Sequence, residues 1–445
     1  MPDMSRRNFL KQAMTVPPLV ATAMKCEGSA AQTPDRPNIL FILMDDLGYG
    51  DLACYGAADI QTPNIDALMA SGIRFNRFYA NCPVCSPTRA ALLTGRYPDM
   101  VGVPGVIRTH WDDSFGYLDP KAPLLPEMLK HAGYNTAIVG KWHLGLEEPN
   151  MPNLRGFDYF HGFLGDMMDD YYTHLRHDIN YMRENDKEIS PEGHATELFT
   201  GWAMDYIRSQ QNNEVPFFLY LAYNAPHTPI QPPREWVAKV KQREPGIGPK
   251  RAALVALIEH LDEGIGKVIQ TLKDSGAYEN TLIVFVSDNG GQRNVEANNG
   301  RLRGGKGEMY KGGIRVPMCA VWPGHIKPGE RNEVCSGLTM DLYATACAAA
   351  GVSVTHEIDG LDLLAILRGD ENDLPERTLF WMRRDGGPIH GMAYYAVRRG
   401  DWKLCQGTGP ASPLELFNLA DDPIEEHPFS QDHPKYRELS QALKE

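Results

Sequence analysis

A few short strings carry the side chains that could do chemistry together. They are Asp45-Asp46, Cys85-Ser86-Pro87-Thr88-Arg89, Lys141-Trp142-His143, His227, Asp288-Asn289 and, in a glycine-rich loop, Lys306. Asp45, Asp46, Asp288 and Asn289 offer hard oxygen donors, a set that suits Ca²⁺, with Mg²⁺ as the smaller alternative. Asp-Asp or Asp-Asn-Gly alone reads as a turn after a strand; both together point to a metal. Ser86 is a good N-cap and Pro87 fits a first helical position, so a helix is expected to run from here through Arg89-Ala-Ala-Leu-Leu. Cys85 would then stand at a helix N-terminus, where backbone N–H groups and the dipole favour an anion, with Arg89 one turn on. By itself the pentapeptide reads equally well as a buried cysteine capping an ordinary helix. Lys141, His143, His227 and Lys306 add positive charge and proton-transfer capacity.

The elements that must position these groups are legible as apolar runs. Asn38–Met44, Asn135–Gly140, Phe217–Ala222 and Thr281–Ser287 are continuous runs of strand length, typical of parallel strands buried on both faces. Each ends in one of the polar strings. Thr62-Pro63-Asn64 opens a helix to about Ser71, and Arg251–Lys273 carries Leu254, Leu257, Ile258, Leu261, Ile265, Val268 and Ile269 at helical spacing. This alternation predicts an α/β fold with a mainly parallel central sheet flanked by helices, with the site beyond the carboxyl ends of the strands. After about residue 350 short strand-like runs take over (Arg377–Arg383, Tyr394–Arg399, Trp402–Cys405, Leu414–Asn418), closed by a polar helix over Pro434–Lys444. The expected organisation is a catalytic α/β unit over 32–350 and a small antiparallel C-terminal subdomain over 351–445.

The net charge of −13 argues against nucleic acid or an anionic membrane as the main partner, and no run of about 18 apolar residues follows the leader. Residues 1–31 read as a twin-arginine signal peptide: Ser5-Arg6-Arg7-Asn8-Phe9-Leu10-Lys11, a modest apolar stretch and the small-residue exit Gly28-Ser29-Ala30-Ala31. Met24-Lys25 before Cys26 fit a lipidation site poorly. The expected destination is the periplasm or beyond. Eight cysteines are too few for a disulfide scaffold, and their pairing is not readable. Gly300-Arg301-Leu302-Arg303-Gly304-Gly305-Lys306-Gly307 nearly matches a phosphate-binding loop, but it lacks the final Ser/Thr. Gly312-Gly313 also disfavours the helix such a loop needs.

With these strings in hand, residues 36–425 resemble the type I, formylglycine-dependent sulfatases of the alkaline-phosphatase superfamily, including arylsulfatases and N-acetylgalactosamine-type glycan sulfatases. The matching strings are ILFILMDDLGYGDL, CSPTRAALLTGRYP, VGKWHLG, APHTP, VSDNGG and LRGGKGEMYKGGIRVP, followed by DWKL and LELFNLADDP. The resemblance implies that a formylglycine-generating enzyme oxidises Cys85 to formylglycine (3-oxoalanine) before export. It implies calcium on Asp45, Asp46, Asp288 and Asn289, with residue 85 completing the set. Arg89 and Lys141 would steady the aldehyde hydrate, and His143 would drive its breakdown. His227 and Lys306 would hold the sulfate, and one of them would protonate the departing alcohol. No equivalent of the family's additional serine ligand stands out in Phe157–Asp170. The implied substrate is a sulfated sugar, polysaccharide fragment or aryl sulfate. The alternatives are a phosphoester or phosphonate hydrolase of the same superfamily and a non-catalytic sulfated-glycan binder. Arg301, Arg303 and the segment Gly162–His177 are expected to shape sugar subsites. Within that segment Tyr171, Tyr172 and His174 either contact sugar or pack the loop.

Overall fold

Five apolar runs form the parallel centre of a ten-stranded sheet: β1 Asn38–Met44, β2 Asn135–Lys141, β3 Tyr159–Phe163, β4 Phe217–Ala222 and β5 Thr281–Ser287. The computed structural model describes residues 36–110, 114–211, 213–384, 386 and 391–444; the expected leader lies outside them. The spatial order β5-β1-β4-β2-β3 is continued beyond β5 by antiparallel β6, Met318–Val321. Ile73–Phe75 and Glu330–Asn332 extend that edge, and Met182–Glu184 and Lys187–Glu188 form the other.

Side chains alternate between the two faces, and each face meets its own core. Ile39, Phe41 and Leu43 of β1 enter one apolar cluster, whereas Leu40, Ile42 and Met44 enter the other. Helices cover both sides, so every β1 side chain after Asn38 is buried. The Leu40 face is covered by α1 Pro63–Ala70, α3 Ala195–Ser209 and α4 Pro249–Asp274. On the other face α2, Cys85–Thr94, is buried along its whole length.

The register does the positioning. Met44 pairs with Ser287, Leu43 with Ala222, and Ala222 with Gly140. The strands therefore end flush, and the residues that follow them emerge side by side. Gly140 makes this possible on β2: its φ is +105°, and a Cβ there would lie 2.0 Å from the Ala222 carbonyl oxygen.

The C-terminal sheet is a four-stranded antiparallel meander: β7 Thr378–Arg384, β8 Ala393–Arg399, β9 Trp402–Gln406 and β10 Leu414–Asn418, followed by α5 Pro434–Ala442. Leu379, Trp381, Tyr394, Cys405 and Phe417 pack with Tyr79, Ala91, Met309 and Ile314. The sheet thus rests on α2 and on the segment after Lys306. Two polar contacts tie the same junction. Trp381 Nε1 donates to Ala80 O at 2.8 Å, and Lys403 Nζ pairs with Glu425 while donating to Met309 O.

One local expectation fails. The N-cap of α2 is the extended Val84 (φ −144°, ψ 161°), not Ser86, so Cys85 is itself the first helical residue. Pro87 is tolerated within the first turn because that N–H has no helical acceptor. Ser86 Oγ is used elsewhere, accepting from Ile107 N at 3.0 Å. The seven described cysteines, 54, 82, 85, 319, 335, 347 and 405, are all free thiols.

The buried Lys403–Glu425 pair yields a stability test. Lys403→Met leaves a buried carboxylate without its cation, and a loss of ~3–5 kcal/mol is expected in denaturant unfolding. Adding Glu425→Gln to that variant should recover part of the loss.

Candidate active site

Beyond the flush strand ends lies a buried knot of opposite charges. Asp45 follows β1, Lys141 ends β2 and Asp288 follows β5; Arg89 reaches the knot from α2. Lys141 Nζ lies 2.5 Å from Asp45 Oδ2. Arg89 donates from Nε (3.1 Å) and Nη2 (2.8 Å) to Asp288 Oδ2, while its Nη1 donates to Lys141 O at 3.2 Å. All four side chains are fully buried. Lys306 Nζ sits 2.8 Å from Asp46 Oδ2, and His227 Nε2 lies 3.7 Å from the same oxygen. Asn289 Nδ2 donates to Asp46 Oδ1 at 2.8 Å. Cys85 Sγ shares a space with one carboxylate oxygen each of Asp45 and Asp288, all three within 4.8 Å of one another. The residues the sequence singled out as catalytic and metal-binding are thus brought together, with His143 at their edge.

The donor set fits a cation. Asp45 Oδ1 and Asn289 Oδ1 are buried oxygens without a hydrogen-bond partner, a costly state unless something positive faces them. Burial would raise the Asp45 carboxyl, yet Lys141, His227, Arg89 and Lys306 outweigh it and hold it far below the usual range. Asp288 goes the other way, up to about 7, because burial and the charge of Asp45 exceed the pull of Arg89. A carboxyl pushed up although Arg89 and Lys141 stand near it is short of positive charge, which a dication would supply. Hard oxygen donors of this kind suit Ca²⁺ or Mg²⁺. The backbone pays locally for this convergence: Asp46 (φ 70°) and His143 (φ 62°) both adopt the left-handed conformation that side chains disfavour.

Cys85 is 3% exposed, and burial pushes its thiol above the ordinary value despite Lys141 and Lys306. As an unmodified cysteine it is a poor source of thiolate at neutral pH. His143 is held neutral, its imidazole pushed well below the usual range by burial, Lys141 and Arg89. Its Nε2 lies 2.8 Å from Ile107 O, so Nε2 carries the proton and donates it. Nδ1, buried and without a partner, then carries the lone pair.

Of the residues expected to shape sugar subsites, three are used for packing. Tyr171 is buried, and its hydroxyl contacts Asn224 O (2.9 Å) and His227 O (2.8 Å), which fixes the turn that carries His227. His174 is buried against Gly193 O at 3.0 Å. Arg303 lies over the Tyr310 ring at 3.9 Å and donates to Glu425 O. For Tyr171 and His174 the packing alternative is the one seen, while Arg303 keeps 36% of its side chain exposed. Tyr172 and Arg301 remain exposed.

Sequence reasoning missed three supports. Ser287 Oγ joins the two acidic turns, accepting from Leu47 N at 3.1 Å and donating to Asn289 O at 2.9 Å. Ile107 links His143 to Ser86 and so to α2. Gly307, beside Lys306, has φ +86°; its N–H donates to Pro83 O at 2.8 Å, and its carbonyl accepts from Tyr394 OH and from Arg383 Nη1 (3.4 Å). Only the position of Ser287 at a strand end hinted at any of this; the other contacts join segments far apart in sequence.

Residues 37–352 match the family model described as Sulfatase. The chain belongs to the sulfatase family. The C-terminal part of this sulfatase, residues 305–445, matches the model described as N-sulphoglucosamine sulphohydrolase, C-terminal. The sulfatase is 33% identical over 460 residues to N-acetylgalactosamine-6-sulfatase of Canis lupus familiaris, covering 93% of this chain and 85% of the dog protein. With arylsulfatase A of Homo sapiens it shares 35% identity over 399 residues, covering 82% of this chain and 74% of the human one. Among solved structures, Ps i-CgsB in complex with k-i-k-neocarrahexaose matches with a TM-score of 0.83 and 34% identity over 92% of each chain. The phosphonate monoester hydrolase of Agrobacterium radiobacter shares the fold alone, with a TM-score of 0.66 at 23% identity over 92% of this chain and 94% of that one. The sulfatase is a sulfuric ester hydrolase of alkaline-phosphatase-like fold. Among its described residues no helix is long and apolar enough to cross a membrane.

Two measurements test this arrangement. Calcium at a hundred times its Kd should stabilise the sulfatase by ~2.7 kcal/mol in thermal unfolding, and Asp45→Asn combined with Asn289→Ala should remove that shift. Tyr394→Phe should lower kcat by ~10-fold, because Gly307 and with it Lys306 lose a tether, while the melting temperature moves by only a few degrees.

Proposed function

We propose that this sulfatase hydrolyses a sulfate monoester on a sulfated sugar, using formylglycine made from Cys85 and a calcium ion held by Asp45, Asp46, Asp288 and Asn289. One observation carries the reading: Cys85 stands at the head of a buried helix, within 4.8 Å of Asp45 and Asp288 oxygens, in a cluster that leaves Asp45 Oδ1 and Asn289 Oδ1 buried without a partner. The names of its relatives support the substrate class. One is an N-acetylgalactosamine-6-sulfatase, and another was crystallised with a neocarrahexaose.

When formed and bound, the hydrated aldehyde and calcium supply an attacking hydroxyl and positive charge for the sulfate oxygens. The protein's own groups do the rest. Lys141 and Arg89, locked onto Asp45 and Asp288, fix the two carboxylates beside residue 85. Asp288, with a carboxylate oxygen within 4.8 Å of Cys85 Sγ, would serve as the base for that hydroxyl. His143, with Nε2–H anchored on Ile107 O, has an unpartnered Nδ1 that would accept the second proton from the hydrated residue 85. Lys306 and His227 flank Asp46 Oδ2, and one of them protonates the departing alcohol. Burial raises the Cys85 thiol, so the unmodified residue is a weak nucleophile, which supports a chemically modified residue at this position.

The leader supports export to the periplasm or beyond by the twin-arginine route, with oxidation of Cys85 by a formylglycine-generating enzyme completed first. The whole reading is tested by mass spectrometry of an active preparation alongside two variants. The peptide spanning Cys85 should carry the aldehyde. Cys85→Ala should abolish sulfate release from an aryl sulfate, and Cys85→Ser should reduce it by at least ~10³-fold. Full turnover with an unmodified cysteine at position 85 would sink the mechanism.

A further inference from the structure

The chain that leaves His227 runs directly along a groove that the catalytic set does not use. The groove has a volume of about 760 Å³ and is lined by Tyr172, Ile230, Gln231, Arg234, Glu235 and Val237 among others. Ile230 is three residues from His227, so the two Cα atoms lie within ~11 Å of each other. Its floor is rigid. Gln231 accepts from Tyr171 N (2.7 Å) and donates to Asp170 Oδ2 (2.8 Å), and Asp170 Oδ1 in turn accepts from Tyr172 N (2.8 Å). These bonds clamp the segment that carries Tyr172 to the segment that carries His227, with Tyr171 OH bridging to His227 O beneath.

Two side chains on this clamp have no structural task of their own. Tyr172 is 47% exposed, although neighbouring Tyr171 is buried. It meets His194 edge to face, with an interplanar angle of 81° and centroids 5.2 Å apart, so the rest of its ring is left to solvent. Arg234, the first residue of the helix Arg234–Arg243, is exposed and forms no ion pair among the described residues. An open aromatic ring suits the C–H face of a pyranose, and a free guanidinium suits a sulfate or carboxylate on the same sugar. Ile230 and Val237 supply apolar wall, Gln231 and Glu235 polar wall, the mixture expected of a site that orients a polyhydroxylated ligand.

We infer that this groove is a substrate subsite. Tyr172 stacks on, and Arg234 pairs with an anionic group of, a sugar one or two units from the one whose sulfate is removed. The inference rests on the sulfated-sugar reading and makes the enzyme one that prefers oligosaccharides to isolated aryl sulfates. It assigns the groove a role in recognition and none in bond cleavage, so its residues are expected to act on KM.

The test compares matured wild type, Tyr172→Ala, Tyr172→Phe and Arg234→Ala on two kinds of probe. One is 4-nitrocatechol sulfate. The other is a series of chondroitin 6-sulfate and carrageenan oligosaccharides of about two, four and six units, matched to the groove's span. For Tyr172→Ala and Arg234→Ala, kcat/KM on the longest cleaved oligosaccharide should fall by ~10-fold through KM, with the aryl sulfate value within about twofold of wild type. Tyr172→Phe keeps the platform and should stay near wild type. Unchanged oligosaccharide kinetics in both truncations, or an equal loss on the aryl sulfate, overturns the groove's role. Wild type that cleaves the aryl sulfate but no oligosaccharide overturns the sugar reading itself, and the subsite with it.

Discussion

The molecule is organised around charges placed where water cannot reach them. Arg89, Lys141, Asp45 and Asp288 have no exposed side-chain surface, and each would cost several kcal/mol there without a partner. They are tolerated only as a set. Lys141 needs Asp45, Arg89 needs Asp288, and the two pairs sit on different strands and on a helix from a third part of the chain. The flush register of β1, β2, β4 and β5 is therefore an electrostatic requirement as well as a packing one. A slip of one residue would point Lys141 to the other face of the sheet and strand both members of its pair.

The same balance explains how an acidic protein can receive an anionic substrate. Asp45, Asp46 and Asp288 face Arg89, Lys141 and Lys306, so the site is close to neutral by itself. A dication on the acidic oxygens turns it positive against a chain whose net charge is −13. In a buried site that local excess outweighs the distant surface charge, which water and salt screen. A sulfate monoester carries a single negative charge, so a modest positive excess suffices to hold it. Arg89 and Lys141 are fully buried on carboxylates, whereas Lys306 and His227 keep some side-chain exposure beside Asp46.

Much of this was legible in the sequence because it rests on local pattern. Continuous apolar runs matched strands within a residue of where they lie, and the strings carrying Asp45, Lys141, His227 and Asp288 fell at or just beyond strand ends. The readings that failed depended on contacts between distant segments. Ser86 has the chemistry of an N-cap, but Ile107 claims its hydroxyl, and the helix starts two residues earlier, from Val84. Adjacent tyrosines 171 and 172 are indistinguishable by type, yet the carbonyls of Asn224 and His227 bury the first and leave the second exposed. Arg303 reads as a free cation in a glycine-rich loop until Tyr310 and Glu425 are folded against it. No local signal carries such information.

The C-terminal sheet shows why an architectural boundary need not be a functional one. Its first strand, β7, ends against three active-site loops. Met382 O accepts from Cys82 Sγ at 3.4 Å, Arg384 N donates to Pro104 O at 2.8 Å, and Arg383 reaches Gly307 O. Cys82 and Pro104 lie on either side of α2 in sequence, and Gly307 follows Lys306. A strand some 300 residues from Cys82 thus helps to set the spacing between α2 and Lys306. Asp45, Cys85, Lys141, His227, Asp288 and Lys306 all precede the C-terminal sheet in sequence, yet that sheet makes contacts that hold their loops together. Catalysis that depends on sub-ångström placement therefore depends on both layers at once. The apolar contacts of Trp381 and Tyr394 across the junction hold the antiparallel sheet to that task.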